Sequence, residues 1–207
     1  MTHIERDEKV FVMRIFLSIL FLIISLQSWT KADDITELEI EGFSIGDSLL
    51  DLFNEEEIKK FATTYYDKSD KFYILTDNTS KYEIYDALQF TIKSNDKKKE
   101  IYGLGGIIWF EENINECLTI KKEIEVDLNL IFKNSKIEKH GERKLPYDTT
   151  GKSKQLSQTQ YTINNGLVAI ECTDFSDNMT SQMGYTDNLK IATYSKEYEN
   201  FVRNEAY

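Results

Sequence analysis

The residues best suited to covalent chemistry in this chain are a serine and a histidine. Ser48 follows Asp47, and a serine hydroxyl attacks a carbonyl group only when a nearby base removes its proton. In serine hydrolases that base is usually a histidine, which a carboxylate orients. After residue 32 the sequence contains one histidine, His140, and the residue three positions before it is Ile137. We therefore predict no catalytic residue, with Asp47 as a helix cap and Ser48 in the first helical turn.

The four residues Gly46-Asp47-Ser48-Leu49 resemble the block that carries the nucleophilic serine of GDSL-type (SGNH) esterases. That resemblance implies that Ser48 is a nucleophile. The family's Asp-x-x-His pair near the C-terminus and its Gly-x-Asn-Asp block are both absent from this sequence. A hydrolase needs a complete set of catalytic groups, so a GDSL-type esterase that uses Ser48 is kept only as the alternative function.

Cys117 and Cys172 are the two cysteines of the chain. In an oxidising compartment two such thiols are expected to pair as a disulfide. Together with His140 they cannot fill a four-ligand zinc site without help from carboxylates. We therefore predict a disulfide between Cys117 and Cys172, and neither a metal site nor a cofactor.

Residues 133–154 form a basic segment in an acidic chain, with seven bases against three acids. We predict a long connection here, and such connections are usually either functional or mobile; the sequence leaves both alternatives open. If the segment is functional, it binds an anion or a protein partner. The candidate binding residues are Lys139, His140, Arg143 and Lys144.

The overall charge restricts the class of partner. Residues 1–32 carry four bases and three acids, so their removal takes the formal net charge from −11 to −12. A surface this acidic repels nucleic acid and anionic lipid headgroups. We expect the partner to be an envelope protein or a small ligand, and not a nucleic acid.

Residues 1–32 have the pattern of a cleavable export signal. Met13-Arg14 supplies a positive flank, and the apolar run at 15–24 is about ten residues long, too short to span a bilayer. Thr30 and Ala32 are the small residues that a signal peptidase prefers before its cleavage point. We predict that translation starts at Met13 and that residues 33–207 remain after cleavage. The product is expected to be periplasmic or secreted, without stable membrane insertion.

Hydrophobic periodicity and capping residues predict the secondary structure of the remainder. The predicted fold is α+β: a single domain in which helices pack on one face of an antiparallel sheet of about six to seven strands, with one disulfide. Tyrosines on the strands favour core packing over an aromatic face for a sugar or a peptide. The predicted strands are 35–41, 72–76, 82–93, 101–110, 155–164, 167–173 and 188–194. The predicted helices are 45–53, a helix whose apolar stripe lies within 55–65, 113–132, and a last helix that begins after Ser195.

Over residues 34–51, and over nearly all of its length, the chain resembles a group of small exported proteins from marine bacteria. The leader ending at Ala32, the turn at 113–117, the strand at 166–172 and the terminal Asn204-Glu205-Ala206-Tyr207 carry the resemblance. It implies export and a single-domain fold, and it implies no activity. The leading function is therefore an exported, non-catalytic binding or interaction module, for which we expect an exposed apolar or aromatic patch on the open face of the sheet.

Overall fold

The computed structural model describes residues 34–206 except 80, 112, 146 and 149. The export signal predicted in residues 1–32 and the start predicted at Met13 lie outside this part. In the described part the strands form one antiparallel sheet in the order β1-β2-β3-β4-β9-β8-β7-β5, and β6 lies in line with β5 along the same edge of β7. The strands are β1 Ala62–Tyr65, β2 Phe72–Asp77, β3 Ala87–Lys93, β4 Gly103–Trp109, β5 Lys136–His140, β6 Arg143–Lys144, β7 Lys154–Ile163, β8 Gly166–Asp174 and β9 Asn188–Ser195.

Four α-helices are present in the described residues: α1 Glu55–Ile58, α2 Ile114–Ile131, α3 Asp177–Met183 and α4 Lys196–Asn204. Two 3₁₀ turns, Ile35–Glu37 and Leu49–Asp51, precede them. None of the helices in this part combines the length and the apolar character needed to cross a membrane.

One face of the sheet, here called the core face, carries the main hydrophobic core. Helix α2 and the 3₁₀ turn Ile35–Glu37 contact β8 and β9, and residues 40–61 supply core side chains on the β2 to β4 side. The disulfide between Cys117 of α2 and Cys172 of β8 joins helix to sheet, and both cysteines are fully buried. On the β2 to β4 side of the same face, the rings of Phe43 and Phe53 pack against the ring of Phe90 of β3, with centroid distances of 5.0 Å from Phe43 and 6.0 Å from Phe53.

The opposite face, here called the open face, is only partly covered. Tyr194 of β9 lies on it, because successive strand residues alternate between faces and Leu189 of the same strand belongs to the core-face cluster. Helix α4 packs here, and its Tyr198 and Phe201 contact Phe72 and Tyr194. The rest of the open face has no helix packed against it in the described part of the chain.

The α+β class, the antiparallel sheet and the Cys117–Cys172 disulfide are confirmed. The long helix begins after Asn113, whose side chain accepts a hydrogen bond from the backbone N–H of Asn115, and the last helix begins after Ser195. The hairpin of β7 and β8 joins the two strands predicted at 155–164 and 167–173, but its turn residues are Asn164 and Asn165, and Gly166 already pairs with Ile163 as the first residue of β8. The sheet has nine strands, and α2 and α4 lie on opposite faces of it.

The secondary structure predicted for residues 35–65 was wrong except at 55–58, where Asn54 and Glu57 form a capping box and helix α1 begins. The strand expected at 35–41 is a 3₁₀ turn followed by a tight turn that pairs Ile40 with Phe43. The helix expected at 45–53 does not form, although the Asp47 carboxylate accepts a hydrogen bond from the Ser44 backbone N–H at 2.7 Å. Gly46 has φ +95°, which ends any helix there. Residues 62–65, expected in a helical stripe, pair with β2 as the edge strand β1.

Residues 133–154, expected to be a connection, contain the two strands β5 and β6. A turn centred on Asp148 follows them, and its carboxylate accepts hydrogen bonds from the backbone N–H groups of Thr150 and Ser153, each at 2.8 Å. Hydrogen bonds from Ser153 and Thr150 hold the pKa of Asp148 well below its usual range. The segment therefore extends the sheet, and its basic side chains are placed by strand register.

Candidate functional site

Strand register aligns a row of polar side chains across the open face. His140 of β5 lies opposite Gln158 of β7, Gln158 opposite Glu171 of β8, and Glu171 opposite Lys190 of β9. Neighbouring strands lie about 4.8 Å apart, so these side chains are within reach of one another. The row crosses four strands on the part of the open face that α4 leaves uncovered.

Hydrogen bonds connect the centre of this row into a network. The Gln158 side-chain amide donates to Glu171 Oε2 at 2.6 Å, and the Gln155 amide donates to the same oxygen at 2.5 Å. Arg143 Nη2 and Gln160 Nε2 both donate to Gln158 Oε1, each at 2.8 Å. The amide network, as we call these five residues, thus joins strands β6, β7 and β8.

A β-bulge brings Gln155 into the amide network. Gln155 and Gln158 are three positions apart, so in a regular strand their side chains would point to opposite faces. The register shifts between Gln155 and Ser157, which pair with the successive residues Thr173 and Cys172. The extra residue re-aims the Gln155 side chain toward the open face, a use of bulges that is common near binding sites.

Two of the five members of the amide network are well shielded from solvent. Gln155 is 4% exposed and Gln158 is 7% exposed, whereas Glu171 and Gln160 are partly exposed and Arg143 is exposed. Gln155 Oε1 is buried and has no hydrogen-bond partner in the described part of the chain. Such an oxygen is unusual in a native protein, because a buried acceptor without a donor is destabilising.

The four binding residues predicted from the sequence are divided between the two faces. His140 and Arg143 lie on the open face, where Arg143 belongs to the amide network. Lys139 points to the core face, where its Nζ is 3.7 Å from Glu125 Oε2. Lys144 is exposed on β6 and lies alongside the turn at Gly151. The structure therefore brings two of the four together with the network.

Sequence reasoning missed Gln155, Gln158, Gln160 and Glu171. One signal was available, since glutamines at 158 and 160 share a face of the predicted strand. Gln155 carried no such signal because the bulge that re-aims it has no glycine to mark it.

Ser48 is the N-cap of the 3₁₀ turn Leu49–Asp51, one position before the first-turn place predicted for it. Its Oγ accepts a hydrogen bond from the Leu50 backbone N–H at 3.2 Å and donates to the Lys98 carbonyl oxygen at 2.6 Å. An open cleft of about 510 Å³ lies beside it, lined by Gly46, Asp47, Ser48, Asp51, Lys98 and Glu100.

His140 does not reach Ser48. Ser48 pairs with Glu100, which precedes β4, whereas His140 lies on β5. Four strand spacings separate β4 from β5, or roughly 19 Å at about 4.8 Å each. The one histidine among the described residues therefore cannot serve as a base for Ser48.

The four tyrosines expected on strands serve packing, although only Tyr161 lies on one, because β3 begins at Ala87 and β4 at Gly103. Tyr161 is fully buried and its hydroxyl donates to Asn129 Oδ1 at 3.2 Å; burial, with a smaller effect of the Glu125 charge, raises its pKa to about 12. The Tyr82 hydroxyl donates to Asp77 Oδ2 at 2.5 Å, and the ring of Tyr85 packs over the backbone of Gly106. Tyr102 belongs to the cluster under α4. Outside that cluster the open face is mixed, because beside its polar row it carries the buried residues Ile107, Ala169 and Ala192 and the partly exposed Trp109.

A buried ion pair connects α2 to the sheet on the core face. Lys121 Nζ lies 2.6 Å from Glu125 Oε1 and 3.0 Å from Thr159 Oγ1, and Lys121 is 3% exposed. Desolvation raises the pKa of Glu125, but the hydrogen bonds from Lys121 and Thr159 outweigh it and hold that pKa below its ordinary value. This pair is internally satisfied, as expected of a structural element.

Within the described ranges, no group of three or more His, Cys, Asp or Glu side chains is arranged to hold a metal ion. Comparison of the chain with known protein families, curated proteins and solved structures finds no match.

Proposed function

We propose that this chain is an exported bacterial protein, periplasmic or secreted, that acts as a non-catalytic binding module through the open face of its sheet. The observation that carries the proposal is the amide network, in which five polar side chains on three strands fix one another's positions. Polar groups held in place on rigid strands are ready to recognise a ligand without reordering.

The network is better explained by binding than by strand cohesion. Ordering glutamine and arginine side chains loses rotamer entropy, and shielding them from water adds a desolvation penalty. Apolar cross-strand pairs hold neighbouring strands together without either disadvantage. A binding role gives a reason for Gln155 and Gln158 to be polar although they are nearly buried.

Two features support export. The disulfide between Cys117 and Cys172 is of the kind that persists in oxidising compartments and is rare in the cytosol. The apolar run at 15–24, with its basic flank and small residues before Asp33, has the composition of a secretory signal. The resemblance to small exported proteins of marine bacteria points the same way.

Export is tested by expressing the full chain in a Gram-negative host and measuring the intact mass of the protein in the periplasmic fraction. We expect a chain that begins at Asp33 and lacks two hydrogens because of the disulfide. A matched variant, Leu20→Arg, interrupts the apolar run and is expected to leave unprocessed protein in the cytosol. Recovery of the wild-type chain uncleaved in the cytosol would refute export.

Binding is tested by immobilising residues 33–207 and passing envelope extract over them, with proteins and glycans in the eluate both identified by mass spectrometry. Glu171→Gln removes the central charge of the amide network, and Glu56→Gln removes an exposed charge on α1 as the matched control. We expect a component that is retained by the wild type and the control and lost by Glu171→Gln. A component retained equally by all three would place binding elsewhere.

A further inference from the structure

The hydrogen bonds of the amide network leave two acceptor oxygens without donors. Glu171 Oε2 and Gln158 Oε1 each accept two hydrogen bonds. The side-chain amides of Gln155, Gln158 and Gln160 each give one of these bonds. Gln155 Oε1 is buried without a partner, and Glu171 Oε1 accepts no hydrogen bond from any described residue. The site therefore has two unpaired acceptors, and these bonds also leave the second N–H of each of the three side-chain amides unused.

A ligand that completes this site must bring hydrogen-bond donors. The Gln155 amide cannot turn over to relieve the deficit, because its oxygen would then face the Glu171 carboxylate. The donor is either a hydroxyl group or a protonated amine. A hydroxyl group suits the site better than a protonated amine, because a hydroxyl can also accept hydrogen bonds from the side-chain amides and from Arg143, whereas an ammonium group can only donate.

We infer that the amide network is the binding site of a neutral carbohydrate, in which one hydroxyl group donates to Glu171 Oε1 and its neighbour donates to Gln155 Oε1 after a shift of the side chains that bury this oxygen. Vicinal hydroxyls present two donors side by side, and each hydroxyl can also accept a hydrogen bond. Arg143 is the exposed donor next to the site that suits this second role. The inference rests on the proposed function, whose ligand class it names.

Trp109 extends the site along the open face. It lies opposite Asn188, and Asn188 opposite Thr173, which pairs with Gln155, so all four share one row. Three strand spacings of about 4.8 Å separate Trp109 from Gln155, or roughly 14 Å. The ring is partly exposed and offers an apolar surface to the C–H side of a sugar ring. The reach between the two residues suits an oligosaccharide better than a single sugar.

The test uses residues 33–207 on an array of neutral oligosaccharides of glucose, galactose, mannose and N-acetylglucosamine, with calorimetric titration of each saccharide bound. Sulfated oligosaccharides and spermidine serve as anionic and cationic probes. We expect neutral saccharides alone to bind. Gln155→Leu is expected to weaken that binding about tenfold, as the loss of a buried hydrogen bond to ligand predicts, and Glu56→Gln to leave it unchanged.

Urea unfolding of the same variants separates binding from folding. Leucine at position 155 removes an unsatisfied buried acceptor, so Gln155→Leu is expected to keep or raise the unfolding midpoint while it loses affinity. Glu171→Gln is the second variant if Gln155→Leu fails to fold. A saccharide that binds Gln155→Leu and Glu171→Gln as tightly as the wild type would overturn the inference.

Failure of the inference is distinguishable from failure of the proposed function. If spermidine or a sulfated probe binds and neutral saccharides do not, the ligand class is wrong. If no saccharide on the array binds but Glu171→Gln still abolishes retention of an envelope component, the open face binds a partner that is not a neutral carbohydrate. If neither experiment shows binding that depends on Glu171, both proposals are wrong.

Discussion

Removal of the disulfide is expected to lower the free energy of unfolding by about 4 kcal/mol. The perturbation is the double substitution Cys117→Ala and Cys172→Ala, which removes the bond and keeps both sites apolar. The bridge closes a ring over a sequence separation of 55, and the loss of loop-closure entropy for a ring of that length corresponds to about 4 kcal/mol at 25 °C. Both cysteines are fully buried, so the small voids left by the sulfur atoms act in the same direction.

Equilibrium urea unfolding of residues 33–207 measures this difference. Thermal unfolding should show a fall in Tm of roughly 8 to 16 °C, since about 1 kcal/mol shifts Tm by 2 to 4 °C in a domain of this size. Wild-type protein kept reduced is the control, because it lacks the bond and retains both side chains. We expect the reduced wild type and the double variant to unfold at similar midpoints.

A loss of stability below about 1 kcal/mol would refute the reasoning, because it would mean that the ring is already constrained in the unfolded chain. A slope of the unfolding free energy against urea that differs between the two proteins would show the same effect directly.

Three further substitutions test other features by urea unfolding. Ser48→Ala removes the cap of the 3₁₀ turn and should lower the free energy of unfolding by about 1 kcal/mol. An unchanged free energy of unfolding together with a loss of ester hydrolysis would favour the alternative, a GDSL-type esterase. Glu125→Gln leaves Lys121 buried without its partner and should lower stability by about 3 kcal/mol at pH 7. The pKa of Glu125 in the folded protein lies below its ordinary value of 4.5. Its contribution to the free energy of unfolding is therefore present above pH 4.5 and is lost as the pH falls through the folded pKa. An acid unfolding transition of the wild type identical to that of Glu125→Gln would contradict this. Gly106→Val should lower stability by about 2 kcal/mol, because a Cβ there would lie 2.4 Å from the ring of Tyr85, and no loss would show that the ring moves aside freely.

Elements with strong local signals were predicted well from the sequence. Helix α2 combines an Asn113 cap with apolar residues at helical spacing, and the turn of the β7–β8 hairpin lies within one residue of the Asn165-Gly166 pair. In these elements local preference and tertiary packing favour the same structure. The disulfide followed from cysteine count and compartment alone.

Residues 34–65 were predicted poorly because tertiary packing decides their structure. Apolar side chains such as Ile35, Phe43 and Phe53 enter the core from turns, so their spacing follows neither the period of a strand nor that of a helix. Strand β1 exists because β2 offers it an edge with which to pair. The sequence pattern within 62–65 does not indicate that this edge is available, so the strand could not be predicted locally.

The candidate site was predictable only in part for a related reason. The basic residues His140 and Arg143 drew attention to the correct edge of the sheet, but their neighbours on the open face depend on the pairing of β5 and β6 with β7. Charge patterning is visible in sequence, whereas strand register is not. The uncharged glutamines that complete the amide network therefore emerge only from the fold.

Strand β8 links the two features from which function is inferred. Glu171 and Cys172 are consecutive, so one side chain lies at the centre of the amide network and the other forms the disulfide on the core face. Through Cys172, α2 fixes the position of the strand that holds the Glu171 carboxylate. If the network binds a ligand as proposed, its unpaired acceptors lower the stability of the fold, and the disulfide directly beneath the network offsets part of that loss. The proposed oxidation after export and the proposed binding face thus meet in one pair of adjacent residues.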